Sequence, residues 1–249
     1  MAGHNKWSKI KRLKAVVDVK RGKVFSQLSK EITLAAKQGG GSPDSNARLR
    51  SAILAARGQN MPNDNIDRAI KKGTGELGGD AIEEIVYEAY APGGTAMMIE
   101  VVTDNRNRAA ADLRTLLFKT AGTFADAGSV AYMFQRRGEI RLTKEGLSED
   151  QLTEAALEAG ADDFTDDGDD WIIYTATDQL FNVAGGLKEK GLTTSSQKLI
   201  YHPSNLIMIS DVAIAQQVTK LYDILDDYDD TQNVYANFDL TAEAAEALA

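Results

Sequence analysis

Apolar residues recur at helical spacing in three consecutive segments of the first third of the chain. The segments are VFSQLSKEITLAAKQGGG, SPDSNARLRSAILAARGQN and the shorter MPNDNIDRAIKKGTG, which we expect Asn63 to cap and Gly73 to end. Their apolar stripes are Phe25, Leu28, Ile32 and Ala35, then Leu49, Ile53 and Ala56, then Ile66 and Ile70. Since each helix has one apolar stripe and the loops are short, the pattern predicts a three-helix bundle.

From about Ala81 the pattern changes to short apolar strands that alternate with helices. EEIVYEAYAPGGTAMMIEVVTD predicts two strands joined by a turn, NRNRAAADLRTLLFKTAG a helix and GSVAYMFQRRG a strand. Near the end, LIMIS predicts a strand, DVAIAQQVTKLYDILDD a helix and NVYANFDL a strand. Between them, EIRLT, WIIYTA and TSSQKLIY predict strands, and DQLFNVAGGLKEKG predicts a helix. Another helix begins at a capping box of Ser148 and Gln151, with Leu147 and Leu152 as a hydrophobic staple.

These elements predict an α+β multidomain fold. The three-helix bundle precedes two α/β-sandwich, ferredoxin-like domains, one inserted in the other, each with helices on one face of a mainly antiparallel sheet. The predicted divisions are a basic N-terminal arm (1–20), the bundle (21–78), a discontinuous middle domain (79–137 with 204–240), an inserted acidic domain (138–203) and a frayed tail (241–249).

Charge is distributed unevenly along the chain. Residues 1–72 carry 16 Lys/Arg and 5 Asp/Glu, and residues 73–249 carry 12 Lys/Arg and 32 Asp/Glu, although the whole chain has a formal net charge of −9. The opening stretch MAGHNKWSKIKRLKAVVDVKRGKVF has Asp18 as its one acidic residue. Such a split indicates a basic module that contacts a polyanion and acidic modules that do not.

Nucleic acid is the polyanion that the opening stretch favours. Lysine and arginine contact phosphates and release counterions, and an aromatic residue among them can stack on an unpaired base. The alternative is that Trp7 packs on the body of the protein and the lysines are merely solvated. The predicted contact residues are Lys6, Trp7, Lys9, Lys11, Arg12, Lys14, Lys20, Arg21, Lys23, Arg48, Arg50, Arg57, Lys71 and Lys72.

Arg106 and Arg108 form a secondary candidate, for phosphate or for a contact within the protein. They lie in the first turn of a predicted helix that Asp104 or Asn105 can cap, where the helix dipole disfavours cations. We favour an intramolecular or inter-domain contact for this pair.

The sequence gives little support for metal binding, nucleotide hydrolysis or other catalysis. DDFTDDGDDW lacks the ligand spacing of an EF-hand, and a tight turn between strands explains Asp167-Gly168 better. QGGGSPD follows a helix and lacks the Lys of a P-loop, and the two histidines, His4 and His202, are far apart in sequence. The absence of cysteine excludes disulfides, zinc–thiolate clusters and thiol catalysis. We therefore predict a non-enzymatic protein without metal or cofactor, and keep a hydrolase or transferase with a site between the α/β domains as an alternative.

Targeting signals are not evident in the sequence. No apolar run approaches the ~18 residues of a membrane span, and the basic start lacks the apolar segment of a secretory signal. The sequence thus predicts a cytoplasmic location and no contact with a membrane.

Six blocks resemble, in order, the signatures of the YebC/PmpR family: MAGHNKWSKIKRLKAVVDVKRGKVF, GGGSPDSNARLR, NMPNDNIDRAIKKGTG, YEAYAPGGTA, TDNRNR and GSVAYMF. The resemblance implies a three-domain fold in which one α/β domain is inserted in the other. It also implies a regulator of gene expression. Bacterial members are described as DNA-binding transcriptional regulators, mitochondrial relatives act as translational activators, and the family is associated with ribosomes and their RNA.

The combined prediction is a regulator that binds nucleic acid through residues 4–72, as a DNA-binding transcriptional regulator. A ribosome-associated translation factor with ribosomal RNA as its partner is the alternative. Asn65 and Arg68 of the third helix are possible base readers, although no helix-turn-helix spacing is evident. The acidic domains would dock on the ribosome or another protein, and an adaptor whose basic arm binds an acidic protein is a further alternative.

Overall fold

The computed structural model describes residues 21–78 and 82–248. The helices are α1 (Arg21–Gly39), α2 (Ala47–Gly58), α3 (Asn63–Gly73), α4 (Arg106–Lys119), α5 (Glu149–Ala159), α6 (Leu180–Glu189), α7 (Val212–Asp227) and α8 (Ala242–Glu246). The strands are β1 (Glu83–Ala91), β2 (Thr95–Thr103), β3 (Thr123–Ala125), β4 (Phe134–Thr143), β5 (Asp163–Asp167), β6 (Asp170–Thr175), β7 (Thr194–Pro203), β8 (Ile207–Ile209), β9 (Thr231–Ala236) and β10 (Phe238–Leu240).

The described residues divide into two compact units. The first unit comprises residues 31–74 and 136–201, and the second comprises residues 21–30, 75–135 and 202–248, apart from 79–81. Each unit is a mixture of helices with strands, and each contains a buried apolar core. The three-domain division predicted from the sequence remains a prediction.

Helices α1, α2 and α3 bury the stripes that the sequence predicts. Ile32, Leu49 and Ala56 are fully buried and Ile66 nearly so, whereas Phe25, Leu28 and Ile70 are half-buried. The predicted cap of α3 is wrong. Asn63 is the first helical residue, and the capping position belongs to Pro62, which makes no side-chain capping bond. The ring of Pro62 fixes φ at −58° with an extended ψ of 140°, so the chain is already set to begin a helix.

Gly73 ends α3, but its role is close packing. A Cβ atom at this position would lie 2.3 Å from the carbonyl oxygen of Thr33 in α1. The hydroxyl of Thr33 in turn donates to the carbonyl oxygen of Ala69, at 3.1 Å. The absence of a side chain at residue 73 therefore lets the last turn of α3 contact the backbone of α1.

The second unit contains a four-stranded sheet in the order β3-β1-β2-β9. β1 and β2 are antiparallel and are joined through Pro92–Gly94, as the sequence predicts. Helices α4 and α7 bury their apolar stripes against this sheet, with Leu113, Val218 and Leu221 fully buried. Met97, Ile99 and Val101 of β2 belong to the same core.

The predicted strand at GSVAYMFQRRG is wrong in its first half. Residues 128–133 form a turn and a 3₁₀ helix, and β4 begins at Phe134. The buried carboxylate of Glu88 accepts hydrogen bonds from the backbone N–H groups of Gly128, Val130 and Ala131, at 2.6, 2.7 and 3.0 Å. With these N–H groups bonded to one carboxylate, the segment does not form a strand ladder, and the edge of the sheet is β3 instead.

The predicted strand at NVYANFDL is interrupted at Asn237. The side-chain oxygen of Asn237 accepts from the N–H of Ala96 at 2.7 Å, and its own N–H donates to the carbonyl of Ala96 at 3.2 Å. β9 therefore ends at Ala236, and β10 pairs in parallel with β8 in a separate two-stranded sheet.

The segment from β4 to β7 has the element order β4-α5-β5-β6-α6-β7 and the sheet order β5-β6-β4-β7. This β-α-β-β-α-β order is that of a ferredoxin-like fold. The order around the other sheet, β-β-α-β followed by α-β, differs from it. At the start of α5 the capping box of Ser148 and Gln151 is present, and Leu147 and Leu152 pack in one core. The segment is bracketed by Met133 and Ser204, whose N–H donates to the carbonyl of Met133 at 2.8 Å.

The chain end differs from the frayed tail that the sequence predicts. Residues 242–246 form α8, and the hydroxyl of Thr241 caps it by accepting from the N–H of Ala244. Ala244 is fully buried, and Ala245 and Leu248 pack against the core of the second unit. The alanines of α8 thus form a buried face, which the sequence pattern did not indicate. Within residues 21–78 and 82–248, the helices are all too short or too polar to cross a membrane.

Candidate nucleic-acid interface

The predicted contact residues lie in the first unit, in the second unit or outside the described part of the structure. Arg48, Arg50, Arg57, Lys71 and Lys72 lie in the helices of the first unit, and Lys23 lies in the second. Arg21 lies in α1, but its side chain is outside the described part of the structure. Outside the described residues are Lys6, Trp7, Lys9, Lys11, Arg12, Lys14 and Lys20.

One end of the helical region is organised by the loop at residues 40–46. Asn46 is buried, and its amide nitrogen donates to the carbonyls of Ala35 and Gly40, at 2.8 and 2.9 Å. Its side-chain oxygen accepts from the N–H of Leu49 and so caps α2. A Cβ atom on Gly41 would lie 2.9 Å from the methyl group of Thr74, just after α3. The end of α1, the start of α2 and the end of α3 therefore meet at this loop.

Three exposed basic residues lie on the helices that meet at this loop. The guanidinium of Arg50 donates to the carbonyls of Pro43 and Asp44, at 2.8 and 3.2 Å, and its side chain is exposed. Lys71 and Lys72 are exposed in the last turn of α3. We call Arg50, Lys71 and Lys72 the loop cluster. It comprises three exposed cations on the helices that meet at the loop.

Four exposed cations of α2 and α3 have no side-chain partner among the residues described. Arg57, Arg68, Lys71 and Lys72 form neither an ion pair nor a side-chain hydrogen bond within that part of the chain. A cation in the last turn of a helix gains about 0.3–1 kcal/mol from the helix dipole, which accounts for Arg57, Lys71 and Lys72 structurally. The same position keeps their head groups in solvent, available to an anion.

Arg48 differs from its neighbours because it is held within the protein. It forms a two-pronged pair with Glu31, at 2.8 and 3.0 Å, and also donates to the side-chain oxygen of Gln38 at 2.8 Å. Its geometry joins α2 to α1, and much of its hydrogen-bonding capacity is satisfied there. Arg48, which the sequence analysis names as a contact residue, is therefore partly occupied by partners within the protein.

Lys23 is also paired within the protein. Its ammonium donates to the backbone carbonyl of Asp226 and lies 3.3 Å from a carboxylate oxygen of Asp227. Lys30, which the sequence reasoning did not select, donates to Asp230 at 2.8 Å. The basic start of α1 thus contacts the acidic end of α7 within the second unit.

Arg108 makes the intramolecular contact that we favoured from the sequence. Its guanidinium donates to Asp230 at 2.7 Å and to Asp104 at 3.0 Å, and Asn105 caps α4. These pairs raise the pKa of Arg108, chiefly through the hydrogen bond to Asp230. Burial alone would raise the pKa of Asp230, but hydrogen bonds from Lys30, Arg108 and Thr103 outweigh it and hold that pKa below its ordinary value.

The acidic run at residues 162–170 forms the β5-β6 hairpin, with a two-residue loop at Gly168-Asp169. Arg141 contacts the carboxylate of Asp167 at 2.9 Å, and Lys144 contacts that of Asp166. Two carboxylates of the run are therefore paired with cations of the protein. Among the described residues, no group of three or more His, Cys, Asp or Glu side chains is arranged to hold a metal ion.

Comparison with known proteins decides the family. The family model described as the TACO1/YebC protein N-terminal domain matches residues 5–76, and the one described as the TACO1/YebC second and third domain matches residues 82–238. The chain belongs to the TACO1/YebC family. The matched ranges cover both the helical region and the two four-stranded sheets.

Relatives extend over the whole length. A protein of Akkermansia muciniphila named as a probable transcriptional regulatory protein is 53% identical over 250 residues, with 100% of both chains covered. A Syntrophobacter fumaroxidans protein of the same name is 47% identical over 249 residues, again with 100% of both covered. The crystal structure of a conserved hypothetical protein from Aquifex aeolicus is similar, with a TM-score of 0.86 and 43% identity over 91% of this chain and 93% of that one.

Sequence reasoning missed two residues, Asn46 and Lys30, whose hydrogen bonds hold α1 in place. Asn46 had a visible signal, since it precedes a helix at a capping position, but its two bonds back to α1 had none. Lys30 looked like any lysine beside an apolar stripe. Its partner Asp230 lies 200 residues away, so only the fold brings them together.

Proposed function

We propose that this protein is a DNA-binding transcriptional regulator that contacts nucleic acid through the helices of its first unit and the basic residues before them. The observation that supports this most directly is the loop cluster, in which Arg50, Lys71 and Lys72 are exposed on helices that meet at the loop of residues 40–46. Exposed cations without carboxylate partners bind phosphates at little desolvation cost and release counterions from DNA.

Helix α3 provides residues suited to reading a base sequence. Asn65 and Arg68 are exposed and three residues apart, so they lie on one face of the helix. Asparagine pairs with adenine and arginine with guanine at base edges in the major groove, which is wide enough to admit a helix. This pair is the reason for proposing duplex DNA as the partner.

The acidic remainder of the chain fits the same proposal. Residues 73–249 carry 20 more acidic than basic residues, and such a surface repels a polyanion. Contact with nucleic acid is thereby confined to the basic helices, and the acidic surface is left for a protein partner.

A matched pair of double variants tests the loop cluster. Lys71→Gln with Lys72→Gln should weaken binding to a labelled duplex and lower the salt dependence, by about 0.9 in slope for each phosphate that the protein no longer neutralises. Lys188→Gln with Lys220→Gln removes the same charge from exposed positions of α6 and α7, and should leave both quantities close to those of the unmodified protein. Binding is measured by fluorescence anisotropy over a range of salt concentrations.

Equal effects of the two double variants would reject the loop cluster as the contact surface. The physiological partner is tested separately by crosslinking and sequencing the nucleic acid bound in cells. Enrichment at a few DNA sites supports the transcriptional proposal, whereas crosslinks concentrated on ribosomal RNA would replace it with the translation-factor alternative.

A further inference from the structure

The opening half of α1 lies against an acidic segment, which we define as residues 226–230 at the end of α7 and just beyond it. Gln27 donates to the backbone carbonyls of Thr231 and Gln232, at 3.2 and 3.3 Å, and the side chain of Gln232 donates back to the carbonyl of Gln27. Gln27 thus contacts the residues just beyond the acidic segment. Lys23 and Lys30, on either side of Gln27 along α1, contact the segment itself. Both sides of this contact belong to the second unit.

The Lys30 end is an anchor. Its ammonium donates to Asp230 at 2.8 Å and to the carbonyl of Asp229 at 2.7 Å. The side chain of Asp230 is only 11% exposed and also accepts from Thr103 and Arg108, at 2.9 and 2.7 Å. Removing Lys30 from this group would leave a buried carboxylate short of a donor, which is costly.

The Lys23 end is held more weakly. Asp227, whose carboxylate lies 3.3 Å from the ammonium, has a side chain that is 55% exposed. The carboxylate of Asp226 is 3.7 Å away, beyond a close hydrogen bond. The Lys23 side chain is itself 18% exposed and also donates to the backbone carbonyl of Asp226, so the exposed partner at this end is the carboxylate of Asp227. An ion pair with an exposed partner is worth little and is screened by salt.

We propose that the carboxylate of Asp227 stands in for a phosphate on Lys23, and that bound nucleic acid displaces it. This rests on the proposed function. The Lys23 end opens toward the polyanion, because a duplex presents a phosphate charge about every 1.7 Å along its axis and one exposed carboxylate competes poorly with it. The ion pair between Lys30 and Asp230 stays formed and keeps α1 in place. Lys23 is thus both an intramolecular partner and a contact residue, and the acidic segment lowers the affinity for nucleic acid.

The test compares two variants of one segment. Asp227→Asn removes the carboxylate that faces Lys23. Asp229→Asn removes the same charge two residues away, from an exposed carboxylate that contacts no other side chain in the described part of the chain. Affinities for one labelled duplex and one labelled single strand are measured against salt concentration. We expect Asp227→Asn to bind the duplex about two- to fivefold more tightly than Asp229→Asn, the range that one exposed ion pair supports.

The salt dependence provides a second readout. If Lys23 binds a phosphate when Asp227 is removed, the slope for the duplex steepens by up to about 0.9. Equal affinities and equal slopes for Asp227→Asn and Asp229→Asn would overturn the proposal while leaving the proposed function intact. Binding by neither variant nor the unmodified protein would overturn both, and binding by Asp227→Asn alone would show that nucleic acid does not displace Asp227 from Lys23.

A coupling measurement separates displacement from other contacts of Asp227. Lys23→Gln should weaken duplex binding more in the Asp227→Asn protein than in the unmodified one, since only in the unmodified protein does the phosphate contact of Lys23 cost its ion pair with Asp227. An identical decrease in the two backgrounds would show that the two residues act independently, and would reject the proposal.

Discussion

Asp230 gathers donors from three parts of the second unit. Lys30 comes from α1, Thr103 from the end of β2 and Arg108 from the first turn of α4. Together these donors keep the carboxylate charged although its side chain is almost buried. A single residue thereby ties two helices to the sheet.

The depressed pKa of Asp230 predicts a dependence of stability on pH. The pKa in the folded protein lies below the ordinary value of 3.8, so protons bind more readily to the unfolded chain. The stabilisation is complete above about pH 5 and is lost as the pH falls below about 4. We expect Asp230→Asn to lower the free energy of unfolding at neutral pH, and the gap from the unmodified protein to narrow as the pH falls below about 4. Urea denaturation at a series of pH values measures it.

A gap that stayed constant down to about pH 2 would show that the charge of Asp230 does not contribute. The other carboxylates titrate in both proteins, so taking the difference between them removes their contribution.

Helix α3 reaches α1 through a residue without a side chain. Gly73→Ala would place a Cβ atom 2.3 Å from the carbonyl oxygen of Thr33, and we expect a loss of about 1–3 kcal/mol in the free energy of unfolding. Gly58 is the matched control, because it is also the last residue of its helix and an added Cβ meets nothing within 4 Å. Gly58→Ala should be neutral or stabilising by up to about 1 kcal/mol. Thermal or urea unfolding that shows equal changes would contradict this account.

Local signals in the sequence predicted most of the helices and strands. The stripe of Leu49, Ile53 and Ala56 and the capping box at Ser148 depend on neighbours within a few residues, and both are present in the structure. The elements that differ are governed by distant partners. Glu88 holds residues 128–131 in a turn from 40 or more residues away, and Asn237 breaks its strand by bonding to Ala96.

The candidate site was predictable to a similar extent. Composition identified the basic residues, because clustering is visible along the chain. It did not separate the exposed Lys71 and Lys72 from Lys23 and Arg48, since the carboxylates that pair with Lys23 lie about 200 residues away. Pairing is a property of the fold, and a charge pattern alone does not contain it.

At the scale of the whole molecule, we predict that residues 134–203 fold as an independent domain. They contain a complete β-α-β-β-α-β unit and a core of their own around Ile140, Leu152 and Ile173. We expect this segment, produced alone, to unfold cooperatively in urea. Trp171 is its one tryptophan and is buried, so its fluorescence follows the transition. A gradual change without a transition would show that the segment needs the rest of the chain.

The hydrogen bond between Ser204 and Met133 has a consequence for the order in which parts of the chain fold during synthesis. Strand β2 emerges early in synthesis, but its neighbour β9 lies at residues 231–236 of 249. The ribosome therefore releases all of residues 134–203 before β9 can pair with β2, so one edge of the β3-β1-β2-β9 sheet is still unpaired. Because the two ends of that segment are bonded together, folding it first brings residue 204 back beside residue 133. The late strand then has a short distance to travel, and the exposed edge of β2 is covered soon after β9 appears.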